Sequence, residues 1–181
     1  MKATKVTLIP LTPDDREQFI LDNQWAFKHG ALLEFGEQDN HINDEGEIIS
    51  RKTIEHCLDE PNNEAYCIVL NGKKVGGIVL KIDKETKHNH LEILFTIPEA
   101  HNKGIGYGAW KEVEALHPET KVWETCTPDF DKRNIHFYVN KCGFHIVEFW
   151  CEYHTSNYAP PEEMPEDEGP DEMFRFIKVM Q

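Results

Sequence analysis

The chain has 181 residues, of which 19 are Lys or Arg and 33 are Asp or Glu, for a formal net charge of −14. A length of this order sets a single domain over 1–181 as the expectation, with enough residues to bury a sizeable core. The acidic balance speaks against nucleic-acid and anionic-membrane partners, both of which need basic patches.

Apolar runs of about eighteen residues, the length of a membrane span, are absent, and the opening MKATKVTLIPL lacks a long apolar segment with a cleavage site. The expectation is a soluble, cytoplasmic protein. Cysteines at 57, 67, 126, 142 and 151 form an odd set without C-x-x-C spacing, which reads as reduced thiols and not as a disulfide framework. Oligomeric state is not legible, a homodimer being one option.

Residues 5–10 form a short β-rich run. Thr12, Pro13, Asp14 and Asp15 then supply a cap, a first-turn proline and two acids that suit the helix dipole, predicting a helix to about residue 29 that Gly30 ends. A polar loop over 34–47 leads to a second helix, about 48–58, with Ile54, Cys57 and Leu58 facing inward. Two β-rich runs, 65–70 and 73–82, flank Asn71-Gly72, the pair that best accepts the positive φ angles of a type I′ hairpin. After a polar turn over 83–89 comes 91–97, an almost wholly apolar run stopped by Pro98, as in a buried strand. These three strands predict an antiparallel meander.

Beyond Pro98, the stretch His101-Asn102-Lys103-Gly104-Ile105-Gly106-Tyr107-Gly108 carries glycines at alternate positions, and Ala109, Trp110, Val113 and Leu116 follow at helical spacing. Glycines let the backbone approach a ligand closely, and a helix start offers unpaired N–H groups and partial positive charge, so this turn suits phosphate. Gly104 to Ala109 also fits G-x-G-x-x-G/A, the dinucleotide fingerprint, with Glu124 about twenty residues on. The intervening PEAHNK and the antiparallel strands before it disfavour that reading; a glycine-rich loop without a ligand is the plainer alternative. Downstream, 122–127 reads as a strand, Asp131 caps a helix with Ile135, Tyr138, Val139 and Cys142 on one face, and Gly143 ends it. A long strand over 144–153 and a last strand over 173–180 enclose 157–172, which is rich in Pro and acid and reads as a mobile loop.

The order of elements and two motifs together resemble the GNAT acyltransferase superfamily of acetyl-CoA-dependent N-acetyltransferases, over nearly the whole chain. LFTIPEAHNKGIGYGAW is similar to the family's acetyl-CoA-binding motif, with His101 where Arg or Gln is usual. The segment from Asp131 through Phe137, Tyr138 and Lys141 to Gly143-Phe144 resembles N-x-x-A-x-x-F-Y-x-K-x-G-F, with Asp131 in place of Asn. The resemblance implies an α+β sandwich, in which a mixed, mostly antiparallel sheet of about six to seven strands is flanked by helices and strands four and five splay around the acyl-CoA. It implies pantetheine bonding along Phe95, Thr96 and Ile97, a pyrophosphate turn built from Asn102, Lys103, Gly104, Ile105, Gly106, Tyr107 and Gly108, and a place for Asp131 beside the cofactor, where helix capping is its safer role.

The implied reaction is direct transfer of acetyl from acetyl-CoA to an amine in a ternary complex. Tyr138 matches the family's tyrosine, which protonates or hydrogen-bonds the departing sulfur. Glu124 is the first candidate for the base and Glu92, a carboxylate inside an apolar strand, the second; either could act through water. A CoA-binding protein without efficient catalysis is the competing class, motivated by the departures at His101 and Asp131. The acceptor is expected to be a small-molecule or protein amine, and a cation, because Glu34, Glu37, Asp39, Asp44, Glu45 and Glu47 fall in the loop that the resemblance sets beside the acceptor, and 162–172 adds seven acids. No metal is expected: His90-Leu91-Glu92 imitates half of a zinc deaminase signature without its P-C-x-x-C, and the remaining histidines show no ligand spacing.

Overall fold

The computed structural model describes residues 5–35, 46–101, 103–154 and 172–181. In chain order its elements are β1 (Thr7–Pro10), α1 (Arg16–Phe35), α2 (Arg51–Asp59), β2 (Asn63–Leu70), β3 (Lys73–Lys81), β4 (His88–Thr96), α3 (Ile105–Leu116), β5 (Val122–Pro128), α4 (Lys132–His136), β6 (His145–Trp150) and β7 (Met173–Val179). The seven strands form one mixed sheet in the order β1-β2-β3-β4-β5-β7-β6, antiparallel at every junction except β4–β5. Among the described residues, no helix is long and apolar enough to cross a membrane.

The β2–β3 turn has Asn71 at φ 51° and Gly72 at φ 77°, the paired positive angles of the expected hairpin. Helix α1 runs on through Gly30 to Phe35. Glycine inside a helix costs about 1 kcal/mol relative to alanine, and burial of Ala26 and Ala31 on either side outweighs it. Helix α2 starts later than expected because Ser50 is its cap: the Ser50 hydroxyl accepts the Thr53 N–H at 3.0 Å. Leu116, at helical spacing with Ala109, Trp110 and Val113, is the exposed last residue of α3. Strand β6 stops at Trp150, where Cys151 and His154 exchange backbone hydrogen bonds across a tight turn. The expected acidic loop lies outside the described residues except for Glu172, as do Glu37, Asp39, Asp44 and Glu45.

Two apolar layers cover the two faces of the sheet. On one, α3 sets Trp110 against Trp123 and Phe144 at ring separations of 5.5 and 5.1 Å. On the other, α1 lays Phe19 edge-on to Phe95 at 5.1 Å. Gly77 makes that approach possible, since a Cβ there would sit 2.2 Å from the Phe19 ring.

The feature that positions the site is the short β4–β5 ladder, His88 with Val122, Asn89 with Trp123 and His90 with Glu124. Beyond it, Val79 pairs with Ile93 while Leu80 pairs with Leu91, so Glu92 is the extra residue of a β-bulge, which bends its strand. Side chains lock the closed end: Asn89 donates to Thr120 at 2.8 Å, and the Thr125 hydroxyl donates to the Leu91 carbonyl at 2.9 Å. Past that clamp β4 and β5 diverge.

Candidate active site

The divergence opens into a cleft of about 530 Å³ lined from both faces of the sheet. Ala26, Phe27, Gly30 and Ala31 of α1 lie on one side, and the start of α3 and the Tyr138 region lie on the other. The α1 contribution was not foreseen from sequence, although Ala26 and Gly30, four apart, are the small residues that let a ligand approach a helix closely.

Of the residues expected to hold the cofactor, Phe95, Thr96, Gly104, Ile105, Gly106, Tyr107 and Asp131 line the cleft. Gly104 caps α3 at φ 69°, a left-handed angle that a side chain would oppose, and its carbonyl accepts the Gly108 N–H at 2.9 Å. The Gly108 N–H closes the first helical turn, and the residue does not line the cleft. Ile97 also stands outside the lining, its N–H donating to Val75 and its carbonyl accepting from Ala100. Lys103 turns its ammonium to the Glu99 carbonyl at 2.8 Å and lies outside the lining. Asn102 falls outside the described residues.

Asp131 does cap α4, accepting the Asn134 N–H at 2.9 Å and the Asn134 side-chain amide at 2.7 Å. After His136 the helix widens into π-type turns from Phe137 to Cys142, and Gly143 ends it at φ 78°. Arg133, His136 and Lys141 from this segment also line the cleft. In a chain of net charge −14, Arg133 and Lys141 bring positive charge to the cleft.

Tyr138 is buried among Phe137, Phe144 and Phe176 and lines the cleft. Burial pushes its phenol well above the ordinary range, with the Thr125 side chain offsetting a part, so it stays protonated. His101 donates from Nε2 to the Thr96 carbonyl at 3.0 Å, and its Nδ1 faces Arg133 at 3.4 Å. Burial first, then Arg133 and His29, hold this ring below the usual histidine range.

Neither carboxylate named for the base lines the cleft. Glu124 sits on the paired part of β5, where its Oε2 meets His88 Nε2 at 3.0 Å and accepts from Arg175 at 3.1 Å. Glu92 lies at the bulge where the strands begin to part. Its carboxyl is pushed up by burial, partly countered by Lys81 and reinforced by Glu60. Cys57 and Cys126 are held at about 12 by burial and Cys142 likewise, and none lines the cleft, so none is a ready nucleophile there.

The sequence matches the model of the Acetyltransferase (GNAT) family over residues 20–144. It is 42% identical over 179 residues to the uncharacterized protein YrkN of Bacillus subtilis (strain 168), covering 97% of this chain and 94% of that one. Among solved structures, the fold is similar to the PaiA N-acetyltransferase of Thermoplasma acidophilum in complex with coenzyme A, with TM-score 0.65, 16% identity, and 98% and 100% of the two chains covered. It is also similar to spermidine N-acetyltransferase of Vibrio cholerae in complex with CoA and spermine, with TM-score 0.64, 13% identity, and 97% and 95% covered. A through-sheet cleft at parted strands, a glycine turn opening α3 and a family match over most of the chain converge: this protein belongs to the GNAT acetyltransferase family.

Proposed function

We propose that this protein transfers an acetyl group from acetyl-CoA to a cationic primary amine by direct attack within a ternary complex. The observation that carries the proposal is a cleft reaching both faces of the sheet, which lets two substrates meet between β4 and β5 from opposite sides. Acetyl-CoA would supply an activated thioester that an amine attacks with loss of the thiolate.

The free N–H groups of Ile105, Gly106 and Tyr107 at the start of α3, with Arg133 and Lys141 nearby, suit its pyrophosphate. The stretch of β4 leading to Thr96, paired with β3 and open on its β5 side, suits its amides. Tyr138 donates a hydrogen bond to the sulfur as negative charge collects there; with its pKa raised, that stabilisation outweighs outright proton transfer. We assign the base to Glu92 ahead of Glu124. Glu92 lies on the α2 face at the parting of the strands with a raised carboxyl pKa, whereas Glu124 is tied to Arg175 and His88. Glu92 would accept the amine's proton through water.

The preference for a cation rests on the charge of −14 and on Glu92, Glu124 and Glu148 sharing one side of the sheet around β4–β7. Thiol release with acetyl-CoA and a panel of polyamines, aminoglycoside-like amines and lysine peptides tests it. Activity only on neutral or anionic acceptors would reject the cation preference. Absence of CoA binding by calorimetry would reject the reading as a whole. A second reading, CoA binding without efficient catalysis, is favoured by one observation, the His101 ring occupying the Thr96 carbonyl; it predicts tight CoA binding with no turnover on the panel.

A further inference from the structure

We propose that His88, His90 and Glu124 form a binding site for a zinc-class divalent metal that bridges β4 and β5 at the closed end of the cleft. His88 and His90 are two apart on β4 and so project from the same face, and Glu124 is the residue of β5 directly in register with His90. One ligand atom from each lies within 4.8 Å of the others. The two imidazoles are stacked, 5.4 Å apart and 14° from parallel, and His88 Nε2 is 3.0 Å from Glu124 Oε2. Ligand atoms around a tetrahedral zinc lie about 3.3 Å apart for metal bonds of about 2.0–2.1 Å, so this pair already has the required spacing and small side-chain rotations bring in the third.

The surroundings are those of a supported metal site. Arg175 holds the Glu124 carboxylate at 3.1 Å and is itself held by Glu148 at 2.7 Å, fixing the orientation of the acidic ligand. All three ligands stand on paired strands and not on loops. His88, with 41% of its side chain exposed, gives an entry path. Two imidazoles and one carboxylate suit zinc, cobalt or nickel and not magnesium or calcium, which take oxygen ligands, and a fourth position stays open for water. The site is independent of the acetyl-transfer reading. Its ligands come from two strands, so the sequence, scanned for local ligand spacing, led to the opposite expectation.

The test uses tag-free full-length protein, titrated with Zn²⁺ by calorimetry and with Co²⁺ by visible absorption. The expected result is one ion per chain, with ligand-field bands of low-coordinate Co²⁺, weakened more than tenfold by His90→Ala and by Glu124→Gln and unchanged by His145→Ala at the sheet edge. Should a variant fail to fold, the imidazole nitrogen NMR shifts of His88 and His90 in the wild type, followed during Zn²⁺ addition, give the same decision. No stoichiometric binding, equal binding by the variants, or histidine shifts that do not move would each overturn the site and leave an ion-pair network only.

Discussion

His101 donates its Nε2 proton to the carbonyl oxygen of Thr96 at 3.0 Å, at the point where β4 enters the cleft. In the proposed reading, that carbonyl accepts from a pantetheine amide of acetyl-CoA. Replacing His101 with Ala frees the acceptor, and a hydrogen bond of about 1 kcal/mol corresponds to roughly fivefold in affinity. Calorimetry with CoA is expected to show tighter binding in the variant. Weaker binding would mean that the ring itself holds the cofactor.

The same ring carries a pH signature. Its pKa is lowered from the ordinary 6.5 by burial, so the folded state binds fewer protons than the unfolded one. Its stabilising contribution is full above about 6.5 and is lost as pH falls through the lower folded value. The melting temperature should therefore drop more steeply on acidification below pH 6.5 in the wild type than in His101→Ala. Parallel profiles would contradict the assignment.

Tyr138→Phe removes the donor proposed for the sulfur while leaving the ring packed on Phe144 and Phe176. The Thr125 hydroxyl keeps its bond to the Leu91 carbonyl, so the fold should hold. Turnover is expected to fall about 10²-fold, the low end for losing one hydrogen-bond donor to developing charge, with acetyl-CoA affinity within about twofold. An unchanged kcat would remove Tyr138 from the chemistry.

Glu92→Gln should separate activity from stability. The carboxyl pKa is raised by burial, so any stability it contributes is present below the unfolded value and lost as pH rises through the folded one. In chelator-treated protein the variant is expected to melt higher than wild type at pH 8, with the difference shrinking toward pH 4.5, while turnover falls at least tenfold. A variant that keeps full activity would return the base to Glu124 or to solvent.

Two glycines give opposite results. Gly30→Ala adds a methyl that meets nothing within 4 Å inside α1, and should stabilise the free protein by about 0.5–1 kcal/mol. Gly77→Ala drives a Cβ to 2.2 Å from the Phe19 ring and should destabilise by about 1–3 kcal/mol. Thermal melts of the two variants check both signs.

Local rules made much of the fold legible: the Asn71-Gly72 hairpin, the strand stopped by Pro98, the glycine turn before α3 and the Asp131 cap each depend on neighbours in sequence. A mixed sheet of about six to seven strands with the fourth and fifth parting was what the family resemblance carried by those elements and motifs implied, and the sheet has seven. What the sequence could not supply was register between distant strands. The bulge at Glu92, the pairing of His90 with Glu124 and the reach of Arg175 to that carboxylate arise from contacts 11 to 51 positions apart, and they decide which carboxylate stands where the strands part and which is tied up beside two histidines. Gly30 failed as a helix stop for the same reason: its local preference to end α1 is smaller than the burial of Ala26 and Ala31 against the sheet, which only the packed structure reveals.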